Sequence, residues 1–140
     1  MEKESENAVH KELIDAARKA ADNAYAPYSN FRIGAAVKCS SGDVFAGCNV
    51  ENASYGLTMC AERNAIFAAV AQGHQSFDTL MVYSPLKSLI SPCGACRQVI
   101  VEFMPPEGKI VLANDYGDVE HWTVGELMPG AFTPASLKEK

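Results

Sequence analysis

Cysteine residues stand where two predicted helices begin, and this placement constrains the fold more than any other feature of the sequence. Apolar residues at helical spacing predict one helix over residues 60–72 and another over residues 93–103. Cys60 opens the first helix, and Cys93 and Cys96 form a C-x-x-C at the start of the second. Two helices that follow a βαβ arrangement can present their starts to one point at the carboxyl edge of a sheet, where ligand sites tend to lie.

The rest of the chain alternates between helical and extended patterns. Residues 9–24 keep helical spacing, and Pro27 limits that helix. Residues 33–39 and 44–50 flank a Ser-Ser-Gly-Asp turn and predict a β-hairpin. Further expected elements are strands at 79–83, 109–113 and 121–124 and a short helical turn at 124–128. This order predicts a single α/β layered domain over residues 1–140, with a mixed sheet and with residues 1–7 frayed.

Charge and composition exclude several classes of protein. The chain has 17 Asp and Glu against 12 Lys and Arg, a net charge of −5, and no basic cluster of the kind that holds nucleic acid. Its longest apolar run is far shorter than the roughly 18–20 residues of a membrane span. The N-terminal segment is charged and lacks the apolar centre of a signal peptide. We therefore expect a cytoplasmic protein with no membrane or nucleic-acid partner.

The five cysteines favour metal binding or catalysis over disulfide bonds. An odd number of cysteines in a chain expected to stay in the cytosol does not suit a disulfide framework. Cys39 and Cys48 fall within predicted strands, where a free cysteine commonly serves as a small buried apolar residue. Three cysteines remain for chemistry.

Three thiols that meet at one point would form a zinc site with three protein ligands. The fourth tetrahedral position would be left for water, which distinguishes a catalytic zinc from a structural one. Helix N-termini help to deprotonate thiols. Arg63 and Arg97 follow the ligand segments, and we expect both to offset the negative charge by hydrogen bonds to sulfur. Glu62, two residues after Cys60, is placed to exchange a proton with the water as a general acid and base.

Two other interpretations of the cysteines stay open. The C-x-x-C alone could be a redox pair, although a thioredoxin-like protein places that pair after its first strand. A structural zinc would need a fourth Cys or His ligand. The glutamate beside the first ligand favours the catalytic interpretation, because neither alternative has a use for it.

The two cysteine segments match a known signature. Zinc deaminases that act on nucleobases carry H-x-E and then P-C-x-x-C, with Cys replacing His in some members and with the Glu as a non-ligand acid and base. This chain has Cys60-Ala61-Glu62 and then Pro92-Cys93-Gly94-Ala95-Cys96. From about residue 13 to residue 132 it closely resembles the small homotetrameric cytidine deaminases of pyrimidine salvage. The segments that carry the resemblance are 28–31, 34–36, 47–53, 60–63, 91–98 and 126–129.

The resemblance implies both a fold and a reaction. The fold is a three-layer α/β/α cytidine-deaminase-like fold with a mixed five-stranded sheet. The reaction is hydrolytic deamination of cytidine and deoxycytidine to uridine and deoxyuridine, with release of ammonia. One zinc per chain would be held by Cys60, Cys93 and Cys96, a zinc-bound hydroxide would attack C4 of the ring, and Glu62 would shuttle the proton. The enzyme would be a homotetramer with sites shared between subunits.

The resemblance also implies the substrate contacts. Asn49 and Glu51 match the pair that hydrogen-bonds the ribose 3′-hydroxyl, and residues two apart on an extended segment project to the same side. Free cytosine, which lacks that hydroxyl, and nucleotides, whose phosphate the carboxylate repels, should therefore be poor substrates. The other implied contacts are Phe31 over the base, Ala61 and Ser91 at the pyrimidine oxygen and departing amine, Ala53, and Tyr55 and Phe132 from neighbouring subunits.

Three rival functions fit the sequence less well. A deaminase of a modified cytosine nucleoside, of the blasticidin-S type, lacks the Asn-x-Glu pair and the arginine after the catalytic glutamate, so Asn49, Glu51 and Arg63 favour cytidine. A deaminase of polynucleotides needs a basic, aromatic-lined groove, which a net charge of −5 opposes. A non-catalytic zinc-binding module would keep the cysteines but has no use for Glu62.

Overall fold

A five-stranded mixed sheet carries helices on both of its faces. The computed structural model describes the backbone of residues 2–138 and the side chains of residues 7–138. The strands are β1 (Gly34–Cys39), β2 (Val44–Cys48), β3 (Phe77–Ser84), β4 (Lys109–Asn114) and β5 (Val119–Thr123). The helices are α1 (Glu2–Ala21), α2 (Ala61–Ala71), α3 (Gly94–Phe103), α4 (Val124–Leu127) and α5 (Pro134–Lys138), with a 3-10 turn at Tyr55–Leu57.

The strand order brings the starts of α2 and α3 to one edge of the sheet. The order is β2-β1-β3-β4-β5, with β3 and β4 parallel and every other neighbouring pair antiparallel. Helix α3 follows the carboxyl end of β3, and α2 leads into the opposite end of that strand. The N-termini of both helices therefore lie at the carboxyl edge of β3, as the cysteine spacing predicts.

Each face of the sheet has its own apolar core. On one face, Leu13, Ala17 and Ala21 of α1 pack against residues of β1, β3 and β4 that include Met81 and Val111. On the other face, α2, α3 and α4 cover alternate residues of the same strands. Since side chains alternate across a strand, one set of strands supplies both cores. This arrangement confirms the expected three-layer α/β/α fold and its mixed five-stranded sheet.

Two glycines allow the helices to lie close to the sheet. A Cβ atom on Gly34 would stand 1.8 Å from the carbonyl oxygen of Ala17, in α1. A Cβ atom on Gly47 would stand 2.5 Å from the backbone nitrogen of Ala65, in α2. Both distances are far below van der Waals contact. Only glycine, which has no Cβ atom, allows the helix backbones to lie this close at these two positions.

The helices differ from the sequence predictions at both ends of the chain. Helix α1 begins at Glu2, earlier than the helical spacing from residue 9 predicts, and fraying of residues 1–7 stays a prediction; residue 1 lies outside the described residues. Glu and Lys dominate this segment, and both are good helix formers, with acidic residues favoured near a helix N-terminus. Helix α5 was not predicted, although Pro134 at its first position is a typical helix start.

No helix in the described part of the chain is both long enough and apolar enough to cross a membrane.

Candidate metal centre and active site

The three thiols expected to bind metal meet where α2 and α3 begin. Cys60 directly precedes α2, Cys93 directly precedes α3, and Cys96 lies in the first turn of α3. The Sγ atoms of Cys60 and Cys93 are 3.8 Å apart, and those of Cys93 and Cys96 are 3.5 Å apart. All three sulfur atoms lie within 4.8 Å of one another. Cys39 is buried in β1 and Cys48 is half-buried at the end of β2, outside this group.

Hydrogen bonds favour a thiolate at Cys60. Its contact with Cys96, together with a bond from Arg63, holds the pKa of the Cys60 thiol well below its usual range. The same contact with Cys60, together with burial, raises the pKa of the Cys96 thiol. Arg63 Nη2 donates to Cys60 Sγ over 3.5 Å. Arg63 Nε is buried and has no hydrogen-bond partner among the described residues, which leaves a donor at the cluster as well as a positive charge.

Glu62 lies in the first turn of α2, two residues after Cys60. It is only 5% exposed, as expected for a group shielded from bulk water. Burial raises the pKa of the Glu62 carboxyl, and the negative charge of Cys60 acts in the same direction. A carboxyl group whose pKa is raised is better able both to accept and to return a proton. The geometry therefore suits the predicted role of Glu62.

Arg97 does not follow the prediction made for it. Its Nε donates to the carbonyl oxygen of Pro92 at 2.8 Å, its Nη1 donates to the carbonyl oxygen of Leu127 at 2.9 Å, and its Nη2 donates to the hydroxyl of Ser91. Each of its nitrogens thus points to oxygen rather than to sulfur. Arg97 instead ties the ligand segment before α3 to the end of α4, so the expected hydrogen bond to sulfur is made by Arg63 alone of the two arginines.

Asn49 and Glu51 lie beside the start of α2. Val50 pairs with Met59 in an antiparallel bridge, with backbone hydrogen bonds of 2.9 Å in both directions. Asn49 and Glu51 flank Val50, and Met59 directly precedes Cys60, the first of the three clustered cysteines. Side chains alternate along an extended segment, so the same-side placement of these two remains the expectation.

The amide of Asn49 shapes the loop that carries Phe31. Its Nδ2 donates to the carbonyl oxygen of Phe31 at 2.8 Å, and its Oδ1 accepts the N–H of Ile33 at 2.9 Å. Asn49 is only 9% exposed. The amide keeps one further donor hydrogen and one further acceptor position, because an amide oxygen accepts two bonds and an amide nitrogen donates two.

Glu51 lines an open cleft. The cleft has a volume of about 390 Å³ and is lined by Tyr28, Ser29, Glu51, Tyr55 and Thr58. Pockets for small molecules begin at roughly 300 Å³, so the space suits a ligand of nucleoside size. Tyr28 and Tyr55 meet edge to face across it, with ring centroids 6.1 Å apart.

The other predicted substrate contacts divide into buried and exposed positions. Ala61 is buried in the first turn of α2, whereas Ala53 and Ser91 are exposed. The three predicted aromatic contacts are all at least half exposed in the single chain: Phe31 at 50%, Tyr55 at 76% and Phe132 at 60%. Gln98 Nε2 donates a hydrogen bond to the carbonyl oxygen of Phe132 at 2.8 Å. This bond holds the backbone at Phe132 beside α3.

Comparison with known proteins identifies the family. The family model for the cytidine and deoxycytidylate deaminase zinc-binding region matches residues 7–112, which include the thiol cluster and Glu62. The chain belongs to this family.

Relatives within this deaminase family match nearly the whole chain. A cytidine deaminase from Halalkalibacterium halodurans is 46% identical over 127 residues, which cover 91% of this chain and 96% of that protein. One from Sporosarcina psychrophila is also 46% identical and covers 91% of this chain and 93% of its own length. The crystal structure of cytidine deaminase from Burkholderia pseudomallei superposes with a TM-score of 0.84 at 51% identity, over 88% of this chain and 98% of that one.

The residues of the cluster fit the zinc that this deaminase family binds. Three thiol sulfur atoms within 4.8 Å of one another are a suitable donor set for zinc. Three thiolates around Zn²⁺ leave one net negative charge, and Arg63 supplies a positive charge with an unpartnered, buried Nε among the described residues. The chain is therefore a zinc-dependent hydrolytic deaminase, with Cys60, Cys93 and Cys96 able to hold the ion.

Sequence reasoning missed part of the cleft of this deaminase. Ser29 and Thr58 line it, and neither was assigned a role. For Ser29 a signal existed: it follows Pro27 in a turn-forming segment, where a serine hydroxyl commonly bonds to nearby backbone.

Proposed function

We propose that the chain deaminates cytidine and deoxycytidine by hydrolysis and so serves pyrimidine salvage. The observation that carries this proposal is the burial of Glu62 beside Cys60 and Cys96, two members of the thiol cluster. A structural zinc site needs no such carboxyl group, whereas a deaminase needs one to move protons. The relatives' names, which specify cytidine, support the choice of substrate.

Proton transfer in this reaction is the work of Glu62. When bound by Cys60, Cys93 and Cys96, zinc supplies a Lewis acid that activates water. Glu62 takes a proton from the attacking water and delivers it to N3 of the cytosine ring as the new bond to C4 forms. The new C4 hydroxyl then gives its proton, by way of Glu62, to the exocyclic amine; the C4–N bond breaks as the C4 carbonyl forms, so that cytidine and water give uridine and ammonia.

Recognition of the sugar is the proposed role of Asn49 and Glu51. A carboxylate and an amide on the same side of the chain can bind one hydroxyl between them. The 2′-hydroxyl is not part of this contact, so deoxycytidine should react as well. The negative charge of Glu51 disfavours a phosphate on the sugar, and Phe31 is proposed to cover the base.

The working form is proposed to be a homotetramer in which neighbouring subunits complete each site. Tyr55 and Phe132 are the residues we assign to this exchange, and their exposure in the single chain supports that assignment. The 140-residue chain would contribute one deaminase domain and one zinc to the assembly.

A comparison of four substrates tests the proposed function. Cytidine, deoxycytidine, cytosine and CMP are supplied separately to zinc-loaded protein, and deamination is followed by absorbance. We expect turnover of the two nucleosides and little turnover of the free base or the nucleotide. Preferential deamination of CMP would contradict the proposed role of Glu51, and failure to deaminate either nucleoside would contradict the function itself.

A further inference from the structure

The carboxylate of Glu51 is anchored by two consecutive residues of the loop that faces it. Glu51 Oε1 accepts the N–H groups of Tyr28 and Ser29, at 2.9 and 3.2 Å. Glu51 Oε2 accepts the hydroxyl of Ser29. The hydroxyl bond and the two backbone bonds hold the pKa of the Glu51 carboxyl below its usual range, so the group is ionised at neutral pH.

A further hydrogen bond fixes the direction in which Ser29 donates. Ser29 Oγ accepts the N–H of Phe31 at 3.1 Å. A hydroxyl carries a single proton, and a backbone N–H can only donate. The proton of Ser29 is therefore directed to Glu51, and the serine connects the carboxylate to the backbone at residue 31.

The backbone between these two residues adopts a conformation that makes both contacts possible. Asn30 has φ of +62°, in the left-handed region, where asparagine is several-fold enriched among residues other than glycine. Its N–H donates to the carbonyl oxygen of Ala26 at 3.0 Å, which closes the turn. The loop is thus held by its own hydrogen bonds as well as by the carboxylate.

We propose that Ser29 is a positioning residue that orients Glu51 and leaves one acceptor position of the carboxylate for a hydroxyl of the substrate's sugar. A carboxylate offers about four acceptor positions. The bonds from Tyr28 and Ser29 occupy three of them and leave one on Oε2, in the cleft that both Ser29 and Glu51 line. This inference rests on the proposed function, because it requires a nucleoside as the ligand.

Substitution of Ser29 tests this role through a split between KM and kcat. Ser29→Ala should raise KM for cytidine about tenfold, the usual scale for one hydrogen bond to a charged group, with kcat changed less than about twofold. Ser29→Thr retains the hydroxyl and should restore KM to within about threefold of the original value. Zinc content and circular dichroism of each variant verify that the fold is intact.

Ser41 offers a matched control in the turn between β1 and β2. Its hydroxyl also contacts a carboxylate oxygen and a backbone N–H, both of Asp43 and both at 3.4 Å. Ser41→Ala should leave KM and kcat unchanged, because this turn is remote from the cleft.

A double-mutant cycle with Glu51→Ala decides whether Ser29 acts through the carboxylate. Glu51→Ala alone should raise KM for cytidine, and in that background Ser29→Ala should change KM less than about twofold. A KM unaffected by Ser29→Ala, or raised equally in both backgrounds, would overturn the inference.

Calorimetric binding of uridine, the expected product, separates this inference from the proposed reaction. Uridine affinity should weaken about tenfold in Ser29→Ala and recover in Ser29→Thr. Lack of cytidine turnover combined with this binding pattern would refute the reaction alone. If turnover is normal but neither the uridine affinity nor KM responds to substitution of Ser29, the positioning role alone is refuted. If the protein neither turns over cytidine nor binds uridine, both the proposed reaction and the positioning role are refuted.

Discussion

Glu62 is a carboxyl group that the fold holds away from water at a free-energy cost. Burial disfavours its charged form, and nearby thiolate charge disfavours it further. Titratable groups perturbed in this way are found at sites of proton transfer more often than at surfaces. The residue after it, Arg63, donates its hydrogen bond to sulfur, and its positive charge partly offsets the rise in the pKa of the Glu62 carboxyl.

Substitution of Glu62 by glutamine should separate metal binding from catalysis. Glu62→Gln keeps the shape of the side chain and removes its ability to carry a proton. We expect zinc content to stay unchanged and kcat for cytidine to fall by about 10²–10⁴-fold, the range attributed to general acid–base catalysis. Metal analysis and steady-state kinetics on the same preparation measure both quantities.

Glu102, an exposed residue of α3, provides the control for this substitution. Glu102→Gln makes the same chemical change away from the thiols and should leave kcat unchanged. Turnover in Glu62→Gln close to that of the original protein would rule out the proton-shuttle role.

For single residues, the sequence predicts which side chains are present near the thiols but not the direction in which each side chain points. Arg63 and Arg97 each follow a ligand cysteine, so the sequence predicts the same role for both. In the fold only Arg63 reaches sulfur, because the carbonyl oxygen of Leu127, distant in sequence, takes a donor of Arg97. A contact made across 30 residues of chain leaves no local signal.

Among the elements, helix starts and the hairpin turn were the most predictable features. Helices α2 and α3 begin directly after Cys60 and Cys93, and the turn between β1 and β2 lies where the Ser-Ser-Gly-Asp sequence predicts it. The position of β1 between β2 and β3 was not predicted, because strand order depends on packing between distant segments. The early start of α1 was missed because its first residues lack an apolar face.

The close contact between α2 and β2 predicts a strong effect of one added methyl group. In Gly47→Ala, the new Cβ would stand 2.5 Å from the nitrogen of Ala65 and 2.8 Å from the carbonyl carbon of Asn64. Overpacking costs about 1–3 kcal/mol, and displacement of α2 would also move Cys60. We expect the free energy of unfolding to fall by about that amount and zinc to be retained less tightly, as measured by urea unfolding and chelator competition.

Gly56, in the 3-10 turn, is the matched position for this test. A Cβ there meets no heavy atom within 4 Å, so Gly56→Ala should leave the free energy of unfolding nearly unchanged. Equal stability of Gly47→Ala and Gly56→Ala would show that α2 does not depend on the small residue.

For the whole molecule, the central question is how much of the site one chain can supply. A single chain supplies the thiol cluster and the buried Glu62, and the bridge between Val50 and Met59 joins the segment of Glu51 to the residue before Cys60. Tyr55 and Phe132 are exposed, at 76% and 60%, and are the rings that we propose neighbouring chains contribute; Tyr55 also lines the cleft of its own chain. The sequence could suggest this sharing only through family resemblance, because no periodic pattern marks an interface.

Complementation between two inactive variants should reveal shared sites. Phe132→Ala chains retain Glu62 but lack the aromatic ring proposed to complete a neighbour's site. Glu62→Gln chains retain Phe132 but lack the carboxyl group proposed to transfer the proton. Coexpressed chains should form mixed tetramers with some complete sites and so exceed the activity of either variant alone. Activity equal to the sum of the separate preparations would place each site within one chain, and sedimentation would report the mass of the assembly.

Cytidine turnover during addition of zinc to metal-free protein tests the central claim most directly, because it counts working sites against bound metal. Turnover should rise in proportion to zinc and level off at about one zinc per chain, the number that three clustered thiols can hold. Glu62→Gln should bind the same amount of zinc with almost no turnover. Turnover that is independent of zinc, or no cytidine turnover at full loading, would contradict the account.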